Sequence, residues 1–188
     1  MANNDNPQAL RFLESMKKHG EQEAGEKFSA KYPLGQSADA STEFEWAKNL
    51  CAFLNESYDD ETVKAIRMDC ACEPEYGKAE IRALYENEKD PAAFVERVNG
   101  LDLGFSLEYD GASYYLLYPQ CYCPCVNHTK ERLPGAWCYC TLGYSKRMFE
   151  YIFDQEVRVD LINSVKQGDA DCRIRITAVR EGFADPAP

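Results

Sequence analysis

The chain has 188 residues, with 21 Lys and Arg against 32 Asp and Glu, for a formal charge of -11. That balance argues against nucleic acid and anionic lipid as default partners. A hydrophobic content of 45% and an aromatic content of 12% exclude general disorder, and no apolar run approaches the roughly 18 to 20 residues of a membrane span.

The predicted elements begin with helices. Asn6 is placed to cap a helix that opens on Pro7, continues through the apolar Leu10, Leu13 and Met16, and closes at Gly20. A second helix is predicted over residues 21 to 30. Thr42 and Glu45 have capping-box spacing, and Ala47, Leu50, Cys51 and Leu54 recur at helical intervals over residues 43 to 56. Asp59 and Asp60 are placed to cap the next helix, with Val63, Ile66 and Cys70 on one face. Ile81, Leu84 and Tyr85 mark a helix over residues 78 to 88, and Asp90, Pro91 and Gly100 bracket a short one around Phe94, Val95 and Val98.

From residue 103 the period becomes two. Leu103, Phe105, Leu107 and Tyr109 alternate with small and polar residues, and Asp110-Gly111 supplies a hairpin turn into residues 113 to 118. After a Cys-rich loop, Leu142, Met148, Phe149, Ile152 and Phe153 share a helical face over residues 142 to 154. A second hairpin follows, in which Val157, Val159 and Leu161, then Cys172, Ile174 and Ile176, alternate with polar residues across a turn-rich link at residues 166 to 171.

This order predicts one α+β domain over residues 1 to 188, with a helical part (1–100), a sheet-containing ligand-binding part (101–180) and a frayed tail (181–188). The helical amino-terminal half packs on an antiparallel sheet built from two hairpins, in the order ββ, Cys loop, α, ββ. The amino terminus shows no basic stretch followed by an apolar one, so the expected location is cytoplasmic. Neither a GxGxxG nor a GxxxxGK[ST] pattern is present, and GxSxG and HExxH are also missing.

A domain of this size does not need covalent staples, so its nine cysteines call for another role. Cys51 and Cys70 sit on apolar helix faces and read as core; Cys72 reads equally as loop packing or ligand. The other six are Cys121, Cys123 and Cys125 in one x-spaced cluster, Cys138 and Cys140 in a second, and Cys172 at the start of the last strand. Spacing by two aims alternate side chains to one side of an extended segment, so four zinc ligands are available among these six. A thiol-lined pocket without metal and plain core packing are the other two readings.

Cys140 precedes a helical pattern beginning at Thr141, where helix N–H groups would favour the thiolate, and His128 is the histidine nearest in the chain to serve as its base. His128 also reads as a solvated loop residue. His19, near a helix carboxy terminus, is expected to interact with the helix dipole. Tyrosines concentrate in the same region. Tyr115, Tyr118, Tyr122, Trp137, Tyr139 and Tyr144 are the candidate ligand-binding residues, because aromatic rings with polar tips suit a small-molecule pocket. A half-buried sheet would also favour tyrosine.

With Trp137-Cys138-Tyr139-Cys140, Gly143-Tyr144, Phe149, residues 157 to 165, Gly168-Asp169 and Cys172 in view, the last third of the chain resembles a known family. It is similar to the 4-vinyl reductase type small-molecule-binding domain, shared with sensor domains of phenol-responsive bacterial regulators, and more closely to L-2-amino-thiazoline-4-carboxylic acid hydrolase-like bacterial proteins. The resemblance implies an α+β fold enclosing an apolar ligand pocket, often in a homodimer. It also implies a zinc site whose first and last cysteines match Cys138 or Cys140 and Cys172. The two middle ligands fall near Leu161 and Ser164, which are not metal donors of that kind, leaving Cys121, Cys123 and Cys125 to compensate.

The leading expectation is therefore a cytosolic, sensor-like domain that binds a small, partly apolar molecule, with the Cys-rich loop as pocket wall or zinc site. The alternative is a hydrolase acting on a cyclic C–N or C–S bond through a Cys140 thiolate or a metal-bound water, with His128 as base. A structural or interaction protein with core cysteines is the third reading.

Overall fold

A computed structural model describes residues 4–73 and 77–179; the tail expected over 181–188 lies outside them. Six helices come first: α1 (Pro7–Lys18), α2 (Gln22–Lys31), α3 (Ala40–Ser57), α4 (Asp60–Asp69), α5 (Lys78–Asn87) and α6 (Pro91–Asn99). Local chemistry sets their starts. The Asn6 side chain accepts from the Gln8 N–H at 2.9 Å ahead of Pro7, and Asp59 and Asp90 cap α4 and α6 in the same way. One start differs from expectation: α3 begins three residues earlier than its apolar stripe suggests, because Asp39 rather than Thr42 is the cap and accepts from the Thr42 N–H at 2.8 Å.

The strands are β1 (Ser106–Tyr109), β2 (Tyr114–Tyr118), β3 (Val157–Asn163) and β4 (Cys172–Ala178), with α7 (Tyr139–Phe153) between the two hairpins. They form one antiparallel sheet in the order β1-β2-β4-β3, so β2 and β4 join the hairpins edge to edge. The fold is α+β, as the sequence order predicts. Leu103 and Phe105 do not extend β1. Asp102 (φ 51) and Gly104 (φ 79) turn the chain there through left-handed backbone, so pairing begins only at Ser106.

Buried residues fall into two clusters. Helices α1 to α4, together with Val126, Leu133 and Trp137, build a helix-side core around Phe12, Leu50 and Ile66. The inner sheet face, α5, α6 and α7 build a sheet-side core around Phe94, Leu116, Phe149, Ile174 and Ile176. Tyr139 and Leu161 touch both. The outer sheet face is polar: Arg175 pairs with Asp160 at 2.9 Å, and Arg173 pairs with Glu108.

The seam between the cores is the crossing of α4 on α7. Gly143 is required there, because a Cβ would collide with the backbone carbonyl of Met68. None of the described helices is long and apolar enough to cross a membrane.

Candidate functional site

A cleft of about 340 Å³ opens where the Cys-rich loop, α7 and the start of β4 meet. Its position follows from how the loop is tied down. The N–H groups of Val126 and Asn127 both donate to the Cys123 carbonyl, at 3.1 and 2.9 Å, making a tight turn. Further on, Leu133 N–H donates to the Lys166 carbonyl at 2.8 Å, and the buried Lys166 ammonium reaches back to the Glu131 carbonyl at 3.3 Å. A 3-10 turn (Gly135–Cys138) then runs directly into α7. The loop is thus folded back as a wall facing α7.

Five rings line the cleft: Phe105, Tyr118, Tyr122, Trp137 and Tyr144. Tyr118 lies between Phe105 and Tyr122, with centroids 6.0 and 5.9 Å away. The Tyr122 hydroxyl donates to the Gly104 carbonyl at 2.9 Å, which fixes that ring although it is 46% exposed. Six thiol-bearing residues share the lining: Cys72, Cys121, Cys123, Cys138, Cys140 and Cys172. No Asp, Glu, Lys, Arg or His is among the described lining residues, in a chain that is 28% charged.

Burial pushes the Cys121, Cys138, Cys140 and Cys172 thiols upward. Cys123 is raised first by its hydrogen bond with Cys125 and then by burial. Burial likewise raises Tyr118 and Tyr144. Three of the sulfurs have polar neighbours: Cys138 Sγ lies 3.1 Å from the Ser164 hydroxyl, the Val165 N–H approaches Cys172 Sγ at 3.5 Å, and Cys140 Sγ donates to the Trp137 carbonyl at 3.4 Å.

The last contact corrects the expected activation of Cys140. The preceding 3-10 turn continues into α7, with Cys138 already in helical conformation. Cys140 is the second residue of α7, and burial pushes its thiol upward rather than down. His128 does not approach it; the imidazole is exposed and packs edge-on to Phe44 at 6.5 Å. His19 meets a carboxylate rather than only a helix end, with Nε2 2.8 Å from Asp69 Oδ2.

Of the ligand-binding candidates, Tyr118, Tyr122, Trp137 and Tyr144 come together at the cleft. Tyr115 lies on the outer sheet face, under the Arg173 guanidinium and bonded to Asp110 at 2.8 Å. Tyr139 packs between the two cores. Of the metal candidates, Cys121, Cys123, Cys138, Cys140 and Cys172 reach the cleft, whereas the turn after Cys123 carries Cys125 into the helix-side core. Among the described residues no group of three or more His, Cys, Asp or Glu is arranged to hold a metal ion.

Sequence reasoning passed over Leu103 and Phe105 as lining residues. Their only signal was the glycine between them, at which the strand pattern breaks. Another cleft, of about 410 Å³ beside α5 and α6, has a rim whose charges pair with each other, Arg82 with Glu86 at 2.8 Å and with Asp154 at 3.8 Å. It lacks the uncharged lining of the thiol cleft.

Among solved structures, the chain is similar to an H-NOX protein from S. oneidensis in the Fe(II) ligation state (13% identity, 93% of this chain and 96% of that one, TM-score 0.46). It is also similar to the IWP-051-bound H-NOX from Shewanella woodyi (10% identity, 94% and 95%, TM-score 0.41). No curated protein matches it in sequence. Residues 2–182 match a family of unknown function, DUF6144, and the chain belongs to that family.

Proposed function

We propose that the chain is a sensor-like domain that binds a small, neutral, partly aromatic molecule in the thiol-lined cleft. The observation that carries this reading is the lining itself: five aromatic rings and six cysteines with no charged side chain. Such a wall is apolar and polarisable, with the Tyr118, Tyr122 and Tyr144 hydroxyls as the placed polar groups. A charged ligand would be desolvated there without a counter-charge in the lining. The resemblance to 4-vinyl reductase type domains points the same way. A hydrolase reading has less support, because burial pushes the Cys140 thiol upward and His128 is not among the lining residues of the cleft.

Matched neutral and charged probes test the reading. Tryptophan fluorescence and thermal shift are followed with phenol, 4-ethylphenol and indole, and with benzoate and benzylamine as charged counterparts. The neutral compounds are expected to bind, and Thr141→Trp, which fills the cleft, to abolish the response. Equal response to benzoate, or an unchanged response in Thr141→Trp, would overturn the proposal.

A further inference from the structure

A second cavity, of about 510 Å³, adjoins the thiol cleft, and Gly104, Phe105, Tyr118 and Tyr122 line both. The hydrogen bond from the Tyr122 hydroxyl to the Gly104 carbonyl, at 2.9 Å, belongs to the wall they share. The two linings differ in charge. The thiol cleft has no charged side chain, whereas the second cavity carries Asp102 and Asp171 with no Lys, Arg or His among its described lining residues.

Both carboxylates are set by their local structure. Asp102 stands in left-handed backbone (φ 51) two residues before Gly104, and Asp171, just ahead of β4, accepts from Asn163 Nδ2 at 3.1 Å. Among the described residues neither is in an ion pair, although acids elsewhere on this surface are: Asp160 meets Arg175 at 2.9 Å and Glu86 meets Arg82 at 2.8 Å. Arg173 is the strand partner of Leu117, which lines the second cavity. Its guanidinium is taken by Glu108 and lies 5.0 Å over the Tyr115 ring. The second cavity thus combines two carboxylates lacking a counter-charge with the rings of Phe105, Tyr118 and Tyr122, whose centroids succeed one another at 6.0 and 5.9 Å. Carboxylates and aromatic faces both attract an ammonium, and both disfavour an anion.

We infer that the second cavity holds the ammonium end of the molecule whose ring fills the thiol cleft, so that the ligand class is an arylalkylamine with its amine several bonds from the ring. This rests on the proposed small-molecule reading and sharpens it: the part inside the thiol cleft is uncharged, and the charge sits beyond the shared wall. Benzylamine, with its ammonium one carbon from the ring, brings that charge into the uncharged lining and is a poor ligand. A longer tail carries the charge past Tyr122 to an open cavity, where it keeps part of its hydration and gains the two carboxylates. A bare metal ion is a worse fit, because among the described residues no group of three or more His, Cys, Asp or Glu is arranged to hold one.

The test is calorimetric titration of the full chain with phenethylamine, phenylpropylamine and phenylbutylamine, each against the alcohol of the same chain length, so that the members of a pair differ only at the charged end. At least one of the longer amines is expected to bind about tenfold tighter than its alcohol, and that ratio should shrink toward one in about 0.5 M salt. The double variant Asp102→Asn, Asp171→Asn should bring the ratio to about one at low salt, since it removes both charges. Asparagine tolerates left-handed backbone at 102 and keeps an acceptor oxygen for Asn163 at 171. A ratio of one at every length in the unaltered chain, or a ratio that survives in the double variant, would refute the inference. If the double variant does not fold, the ratio in the unaltered chain and its salt dependence decide. Binding of the alcohols and of 4-ethylphenol with no advantage for the amines removes the ammonium end alone; no binding by any of them removes the small-molecule reading and this inference with it.

Discussion

The two cores of this molecule are built from different materials. The sheet-side core is hydrocarbon and aromatic rings, with no cysteine among its members. The helix-side core contains Cys51, Cys70, Cys125 and Cys138, has Cys121 and Cys123 packed against it, and encloses the Arg67 guanidinium. Both bury enough apolar surface to hold their helices, so stability alone does not explain sulfur and charge on one side only. The cleft lies on the side that carries them. The contrast teaches where the chain accepts cost: one core is a scaffold, and the other is the back wall of a site.

The largest expected effect sharpens that contrast. Phe149 is fully buried on α7 in the sheet-side core, with Phe153 edge-on at 5.3 Å. Phe149→Ala should cost about 3–5 kcal/mol in denaturant unfolding, through lost transfer energy and a cavity. Folded Phe149→Ala protein should keep its response to neutral aromatic probes. A selective loss of that response at full stability would break the division between scaffold and site.

Next in size is the seam. Gly143→Ala sets a methyl against the Met68 carbonyl, which is backbone and has nowhere to yield, so α4 and α7 must separate. Overpacking of this kind costs about 1–3 kcal/mol, read as a lower denaturation midpoint. Because α4 carries Arg67 and α7 carries Cys140, the same variant should also alter probe binding, unlike Phe149→Ala.

Arg67→Met probes the helix-side core directly. The variant leaves the Ala136 and Trp137 carbonyls without their donor, a loss of about 1–3 kcal/mol. It also removes a charge buried without a carboxylate, which offsets part of that loss. The net cost should be about 1–2 kcal/mol, smaller than for Phe149→Ala although both residues are fully buried. A cost equal to that of Phe149→Ala in urea unfolding would mean that the guanidinium is simply structural.

Much of the scaffold was legible because its signals are local. Asn6-Pro7, Asp59 and Asp90-Pro91 mark helix starts by chemistry confined to three or four residues, and the parity of Cys172 with Ile174 and Ile176 placed it on the inner sheet face. The thiol cleft was half legible. X-spacing rightly gathered Cys121 and Cys123, but it grouped Cys125 with them, because a spacing rule assumes extended chain and the chain turns at Cys123. Cys72, left undecided, joins the cleft from the end of α4. Arg67 was not legible at all. Next to Ile66 it reads as a solvated helix residue, and its burial depends on carbonyls 69 and 70 positions away in the chain. The 3-10 turn ahead of α7 was hidden for a related reason: it has no sequence period that would reveal it.

The smallest effect sits on the rim of the helix-side core, where α1 meets α4. Asp69 accepts from Lys18 at 2.9 Å and from His19 at 2.8 Å. Burial acts to raise its carboxyl, but the hydrogen bonds and charges of Lys18 and His19 outweigh it and hold the group below the ordinary 3.8. A carboxylate lowered on folding contributes stability above its unfolded value, and that contribution is lost as pH falls through the folded one. Asp69→Asn should therefore cost less than about 1 kcal/mol at neutral pH, the range of a solvent-facing pair. It should also flatten the stability-versus-pH slope below about pH 5, measured by urea unfolding at a series of pH values. The Cys138 and Cys172 thiols, raised by burial, carry the opposite sign: their contribution to stability is present below the unfolded thiol value of about 8.5 and is lost as pH climbs past it. An acid limb unchanged in Asp69→Asn would show that the Lys18 and His19 contacts add nothing to the Ser15 and Arg11 hydrogen bonds that join α1 to the end of α4. The alkaline limb, insensitive to Asp69, reports instead on groups raised by burial, Cys138 and Cys172 among them.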